Sequence, residues 1–290
     1  MSSILPPPAV ELLRSLRHPE CASSALNQPI TDEIILLAKI AAVERNDQAE
    51  ATLVWQARTI LSIQRGFIAA FSFLKSHEFY KAWCELERCE IEILGIRRYY
   101  TSNDEDTHRI AYIERMILRW QNLYPYKLFF SPEILKKKVV CSICGETISL
   151  RQHCGHEKFG IYDGESCYHR IEDAEFLSIS IVENPVQRYS VAFLAGDEPG
   201  KSIDHYNYGN IRFVVDRVDS PFHEWEAETT TRTLESSDVA HLVRDDPCLC
   251  VSGNAFGECC AGKAEIIVPH LQIRLYVQPS TNLPENELLI

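Results

Sequence analysis

The sequence predicts an α+β protein in three parts. A helical N-terminal domain, either a bundle or a degenerate helical repeat, precedes an α+β region built around one cysteine cluster. A C-terminal module built around a second cluster follows. Three observations predict this layout. Apolar residues recur at helical spacing through roughly the first 130 residues. Strand-type segments follow only beyond a junction near residues 130–138. Eight of the 11 cysteines fall in two short segments, residues 141–167 and 248–260. Long helices do not alternate with strands, which sets the chain apart from the α/β class.

The helical part reads as three to four amphipathic segments. Thr31 and Asp32 are candidate starts for the run IILLAKIAAV, and AEATLVWQARTILSIQRGFIAAFSFL follows with no proline. Ser76 is a candidate cap for KSHEFYKAWCELERCEIEIL, in which Phe79, Trp83, Leu86 and Ile93 fall near helical spacing. After the polar break YYTSNDED, a fourth helix follows Asp106, with Ile110, Ile113, Ile117 and Trp120 on one face. The stretch from Phe79 to Glu90 faintly resembles a tetratricopeptide helix pair. No 34-residue self-similarity accompanies it, so a bundle is the simpler expectation.

A junction is expected near residues 130–138, where Lys136 to Lys138 read as a solvated linker able to steer an acidic partner. This gives parts spanning 1–135, 136–240 and 241–290. Beyond the junction, FLSISIV (176–182), YSVAFLA (189–195) and FHEWEAETTT (222–231) have strand character, and NIRFVVDRVDS (210–220) reads as a helix.

Composition narrows the function classes. The formal net charge of −12 opposes broad binding to nucleic acid or to anionic membranes. No apolar run approaches the roughly 18 residues of a membrane span, and the N-terminal stretch does not read as a signal peptide. A cytoplasmic location is expected. Patterned cysteines there are more often metal-binding than disulfide-bonded.

The first cluster, CSICGETISLRQHCGHEKFGIYDGESCYH, opens with Cys141 and Cys144 as C-x2-C. Gly145 lets the backbone turn so that both sulfurs face one point. After nine intervening residues come Cys154 and His156 as C-x-H. Four such donors suit tetrahedral zinc, a zinc knuckle. Cys167 is the alternative to His156 as fourth ligand. A catalytic zinc would need an open position. The cluster lacks the zinc-deaminase signature, and no H-E-x-x-H occurs in the chain.

The second cluster is DPCLCVSGNAFGECCAG, with Cys248 and Cys250 as C-x-C and, after eight intervening residues, Cys259 and Cys260. These spacings, with Asp246–Pro247, Ser252–Gly253 and Phe256, resemble the SEC-C motif, a small zinc-binding module appended to many bacterial proteins. The resemblance covers about 17 of the 290 residues. It implies that Cys248, Cys250, Cys259 and Cys260 ligate a second zinc ion. Adjacent cysteines in an extended chain point apart, so joint ligation by Cys259 and Cys260 demands a bent backbone. The chain departs from the motif at Val251, where glycine is usual, and at residues 254–258, which lack its lysines. The order of parts also resembles a group of SEC-C-containing bacterial proteins, a likeness that implies no particular activity.

One motif fails. In AGDEPGKS (195–202) only three residues separate Gly196 from Gly200, one short of a P-loop, and Asp197 and Glu198 would repel phosphate. No nucleotide is expected. The reading that remains is a non-enzymatic adaptor with two structural zinc sites, binding a protein partner through its helical part. A nucleic-acid-associated zinc protein and a zinc-dependent hydrolase are the alternatives.

Overall fold

The structure, a computed structural model, describes residues 7–19, 29–100, 106–151 and 153–276. Cys21, most of the polar break after Tyr100 and the C-terminal tail lie outside the described residues. The fold is mixed α+β, with seven helices and four two-stranded antiparallel sheets among the described residues. It divides into two compact units, residues 1–208 and 209–290.

The first unit opens with α1 (Ala9–Ser15), α2 (Pro29–Glu44), α3 (Gln48–Lys75), α4 (Phe79–Ile96) and α5 (Ile110–Leu123). The long α3 packs against all four of the others, burying Val54, Ile60, Ile63, Phe67 and Leu74. Facing side chains include Trp83, Leu86 and Ile93 of α4 and Ile113, Met116 and Trp120 of α5, all buried. The breaks α2–α3 and α3–α4 are the same device. Asn46 and His77 take left-handed φ values of 54° and 58°. Each is followed by an amide bonded five residues back, Asp47 to Ala42 and Glu78 to Phe73, both at 2.9 Å. This is the Schellman helix end.

It also corrects the expected role of Ser76. Ser76 closes α3 with its own amide, and α4 begins only at Phe79 after Glu78. The left-handed residue between them belongs to neither helix. Asp47 does cap α3, accepting the Glu50 amide at 3.0 Å. Pro29 opens α2, and Asp32 instead holds Arg65 of α3 at 2.7 Å. Ahead of α5, the Asp106 carboxylate accepts the Tyr112 amide at 3.0 Å.

Next come β1 (Phe129–Cys141), β2 (Ile161–Tyr162), β3 (Glu165–Ser166), β4 (His169–Val182), β5 (Leu194–Ala195) and β6 (Ser202–Ile203). β1 and β4 pair along their whole length, from Phe129 opposite Val182 to Cys141 opposite His169. Lys136 to Lys138 therefore lie within a strand and not in a linker. Lys137 and Lys138 meet Glu175 and Glu172 at 2.8 and 2.7 Å, a cross-strand pairing that linear reading of a lysine run does not reveal. The expected strand at 189–195 is mostly irregular, with a bridge from Val191 to Phe129 and only Leu194–Ala195 in β5. Its place is set by α4. Trp83 Nε1 donates to the Arg188 carbonyl at 2.6 Å, and Tyr80 donates to that of Tyr189 at 2.7 Å. β5 and β6 form the hairpin around Gly196–Gly200, a polar turn.

Arg188 fastens this segment. Its amide and Nε donate to the buried Glu87 carboxylate at 3.0 and 3.1 Å. Its guanidinium also pairs with Glu90 and lies 5.6 Å from the Trp83 ring. Beside it, Trp120, Tyr124 and Tyr126 are core residues. The Tyr124 hydroxyl donates to the Phe79 carbonyl at 2.9 Å, and those of Tyr126 and Tyr208 share a hydrogen bond of 2.8 Å.

The second unit contains α6 (Gly209–Val215), β7 (Trp225–Glu235), α7 (Phe256–Cys259) and β8 (Glu265–Leu275), with β7 and β8 paired from Trp225 opposite Leu275 to Glu235 opposite Glu265.

Replacing Arg188 by Ala leaves the buried Glu87 without its cation. We expect a loss of about 3 kcal/mol from the first unit, read as a lower urea midpoint in tryptophan fluorescence. Arg98→Ala, which breaks the exposed 3.6 Å pair with Glu157, should cost less than about 0.5 kcal/mol.

Candidate metal centres

The end of β1 builds the first centre. After Cys141 the chain turns through Gly145, whose φ is +75°, and its amide returns to the Cys141 carbonyl at 2.9 Å. Ile148 N–H then donates to Val139 at 2.8 Å, closing a short hairpin. The turn aims the Ile143 amide at the Cys141 sulfur, 3.4 Å away. The donor atoms of Cys141, Cys144, Cys154 and His156 all lie within 4.8 Å of one another.

His156 stands edge-on to Tyr162, ring centres 4.6 Å apart. Its Nδ1 is buried with no hydrogen-bond partner. An unsatisfied buried nitrogen costs roughly 1–3 kcal/mol, and a cation in the cluster is a group that would accept its lone pair.

Cys167 is fully buried, with its sulfur 3.7 Å from that of Cys141. Five candidate donors thus gather here. The mutually close set of four contains His156, while Cys167 stands against one side of it. Burial pushes the Cys141 thiol up. The amides of Cys144 and Ile143 and the thiols of Cys154 and Cys167 outweigh burial and bring it down to about 6. Burial and then the Cys141 sulfur push Cys167 up to about 11.

The loop carrying these residues is docked on α2 and α3. Between β2 and β3, Asp163 and Gly164 have φ values of 50° and 71°, as an Asp-Gly hairpin turn requires. A β-carbon at Gly164 would also lie 3.2 Å from the Ala51 carbonyl oxygen of α3. Gln48 clasps the turn from both sides, donating to the Ile161 carbonyl at 3.0 Å and accepting the Asp163 amide at 3.1 Å. Glu165 takes two hydrogen bonds from Arg58, at 3.1 and 2.8 Å, and pairs with Lys39. Arg58 foremost, with Lys39, holds its carboxyl down to about 2 against the opposing effect of burial.

The second centre lies in the second unit. Cys248 N–H donates to the Asn254 carbonyl at 3.0 Å, and Phe256 N–H to that of Asp246 at 2.7 Å, folding the loop back on itself. Cys259 is the last residue of α7, and Cys260 follows as its cap. In a helix consecutive side chains are about 100° apart, not opposed, so both sulfurs reach the same point. The sulfur of Cys250 lies 3.3 Å from that of Cys248 and 3.4 Å from that of Cys259, and Cys259 and Cys260 are 3.7 Å apart. All four lie within 4.8 Å of one another.

Hydrogen bonds from Ser252, then from Cys248 and Cys259, lower the Cys250 thiol to about 6. Burial first, then the neighbouring thiols, raises Cys260 to about 12. Lys263 donates to the Cys260 sulfur at 3.5 Å.

Every cysteine and histidine singled out by spacing is thus found at one centre or the other. Spacing does not reveal what holds them there. The Gln48 clasp and the Arg58–Glu165–Lys39 group join residues more than 100 positions apart, and the only local signal was the turn pair Asp163–Gly164. Fold and sites together define an α+β chain with two thiol-rich clusters able to hold metal ions. Comparison with protein-family models, with curated proteins and with solved structures gives no match.

Val251 has a φ of 57° and is exposed. A β-branched residue is strained in the left-handed region, by roughly 1–2 kcal/mol, so this is where the loop geometry favours glycine. We expect Val251→Gly to stabilise the second unit by about 0.5–1 kcal/mol, after the entropy cost of glycine, seen as a higher melting temperature. An unchanged or lower melting temperature would contradict the strain.

Proposed function

We propose that the protein is a non-enzymatic, zinc-binding adaptor whose two zinc ions are structural. The observation that carries this reading is that each centre offers four side-chain donors, all mutually within 4.8 Å. Four protein ligands close a tetrahedral shell and leave no position for water or substrate. Thiolate and imidazole donors suit zinc and not calcium or magnesium, which take oxygen. With Zn–S bonds of about 2.3 Å, the sulfur–sulfur edge of a tetrahedron is about 3.8 Å. The sulfur distances of 3.3–3.7 Å in the second centre approach that edge. A hydrolase would need one of these donors withdrawn.

The two ions have different structural work. In the second unit Cys248 and Cys260 belong to a core completed by Leu234, Val239, Phe256, Ile266 and Val268, with Cys250 and Cys259 packed against it. So small a core needs a staple, and zinc in small modules supplies on the order of 10 kcal/mol or more. The SEC-C resemblance agrees with this reading. In the first unit the zinc knuckle is a clamp on a helical core that is already large. We place both roles in a reducing, cytoplasmic setting, where cysteines stay available as ligands.

The adaptor role rests on α2. Ile35, Ala38 and Ala42 are buried, yet Leu36, Leu37, Ile40 and Val43 on its other side are exposed. A helix that is apolar all round is ordinarily covered, which fits a protein partner. Lys137 and Lys138 pair with glutamates, which weakens the lysine run as support for nucleic-acid binding.

Metal analysis of the native chain should find two zinc ions per molecule. Cys248→Ser should lose one and unfold the second unit. Cys141→Ser should lose the other and free the knuckle while sparing the helical core. Chelation that strips both ions yet leaves both units with native stability would refute the structural role. A metal spectrum with a bound water would point to the hydrolase instead.

A further inference from the structure

The ribbon of β1 and β4 is exposed on both faces, through residues 132–138 of one strand and 170–181 of the other. A lone two-stranded ribbon is marginally stable in water, and its two outer edges are not alike. The outer edge of β1 is occupied at its start, where Phe130 N–H donates to the Ser190 carbonyl at 2.7 Å and Ala192 N–H to that of Leu128 at 3.0 Å. Further along it carries Pro132, which has no N–H to offer, and then Lys136 to Lys138. Proline and lysine are the ordinary means of blunting an edge.

The outer edge of β4 has no partner strand among the described residues. From Phe176 to Val182 it reads FLSISIV, without a charge or a proline. Phe176, Leu177, Ile179 and Ile181 are all exposed. Such a segment on an open edge pairs readily with another strand.

We infer that β4 is a dimer interface, paired edge to edge and antiparallel with β4 of a second copy about a two-fold axis at Ile179. The order of residues supports a copy of this chain as the occupant. That axis places Ile179 opposite Ile179, Ser178 opposite Ser180 and Leu177 opposite Ile181. Like meets like at each of these steps, with Ser178 and Ser180 on one face and Ile179 and Ile181 on the other. A one-residue slip sets each serine against an apolar residue, so the pairing selects its own register.

Charge permits it: two molecules of net charge −12 repel, and they meet at least cost along a neutral strand. Beyond the pairing the nearest acidic groups of β4 and its end are Glu175 and Glu183, and Glu175 already carries Lys137 at 2.8 Å. The bulge that leaves Leu177 without a counterpart on β1 ends the regular stretch on that side. The result is a four-stranded sheet in the order β1-β4-β4-β1, an isologous contact that closes on itself.

Sedimentation equilibrium of the full chain, with zinc retained, tests this. The native protein should show a monomer–dimer equilibrium. Ile179→Lys should weaken it by on the order of a hundredfold, because the two-fold sets two ammonium groups face to face. Leu37→Lys, on the exposed face of α2, should leave it unchanged. A native protein that stays monomeric at every concentration overturns the inference, and so does a dimer indifferent to Ile179→Lys or broken by Leu37→Lys. Should Ile179→Lys fail to fold, hydrogen exchange on the native chain decides. The Ile179 and Ile181 amides, which face the open edge, should gain protection as concentration rises, and a dimer that leaves their exchange unchanged refutes the pairing.

Discussion

Four thiol or imidazole groups held within a few ångströms of one another are an unstable arrangement on their own. At each centre one thiol is lowered to about 6, Cys141 and Cys250, while a neighbour is raised to about 11 or 12, Cys167 and Cys260. The first proton leaves easily because the Cys144 and Ile143 amides at Cys141, Ser252 at Cys250, and then the other thiols donate hydrogen bonds to the thiolate. The next is held back first by burial and then by the negative charge already there. A divalent cation reverses that order, since it prefers every ligand deprotonated. The convergence of donors is therefore intelligible as a binding arrangement and costly as anything else. The orphaned His156 nitrogen says the same in a different currency.

Much of the first unit depends on where that convergence falls. Cys141 is the last residue of β1, and Cys167 lies two residues before β4 begins. The first centre thus pins the two strands together at one end of the ribbon. At the other end Phe129 is buried beside Trp83, in the aromatic cluster fastened by Arg188. With both ends tied, the register between β1 and β4 has little freedom, although its middle is exposed on both faces and broken by irregularities at Glu133, Lys136 and Lys138. Sheets with one buried face fix their register by burial. This ribbon fixes its register by its ends.

The part of this legible in the sequence was the part encoded locally. Ligand spacing located both centres, and helical periodicity located α2 to α5 within a few residues. What escaped was set by distant partners or by backbone turns without a strong residue signal. His77 takes a left-handed conformation that glycine or asparagine would have advertised, so Ser76 was assigned to the wrong helix. Lys136 to Lys138 read as a solvated run because the glutamates of Lys137 and Lys138 lie across the ribbon, more than 30 residues later. YSVAFLA has strand composition, but Trp83 and Tyr80 take its neighbouring carbonyls, and little of it pairs as a strand. Joint reach by Cys259 and Cys260 depends on the one-turn helix α7, which Cys259 ends and Cys260 caps.

Val251 shows how the second centre shapes the chain around it. Its left-handed φ of 57° follows from where its neighbours must be. Cys248 and Cys250 have to bring their sulfurs to one point, and the Val251 amide donates back to the Cys248 carbonyl at 3.0 Å. The chain must then reverse at once, so that the Cys248 amide meets the Asn254 carbonyl and Ser252 reaches the Cys259 sulfur at 3.2 Å. These requirements over-determine the backbone at residue 251 whatever side chain stands there. Strain of this kind persists only when the surroundings outweigh it. A loop restrained by its hydrogen bonds and by the packing of its cysteines meets that condition, and a cation binding the four sulfurs would meet it with a wide margin. The strained valine and the converging thiols are two consequences of one geometric demand.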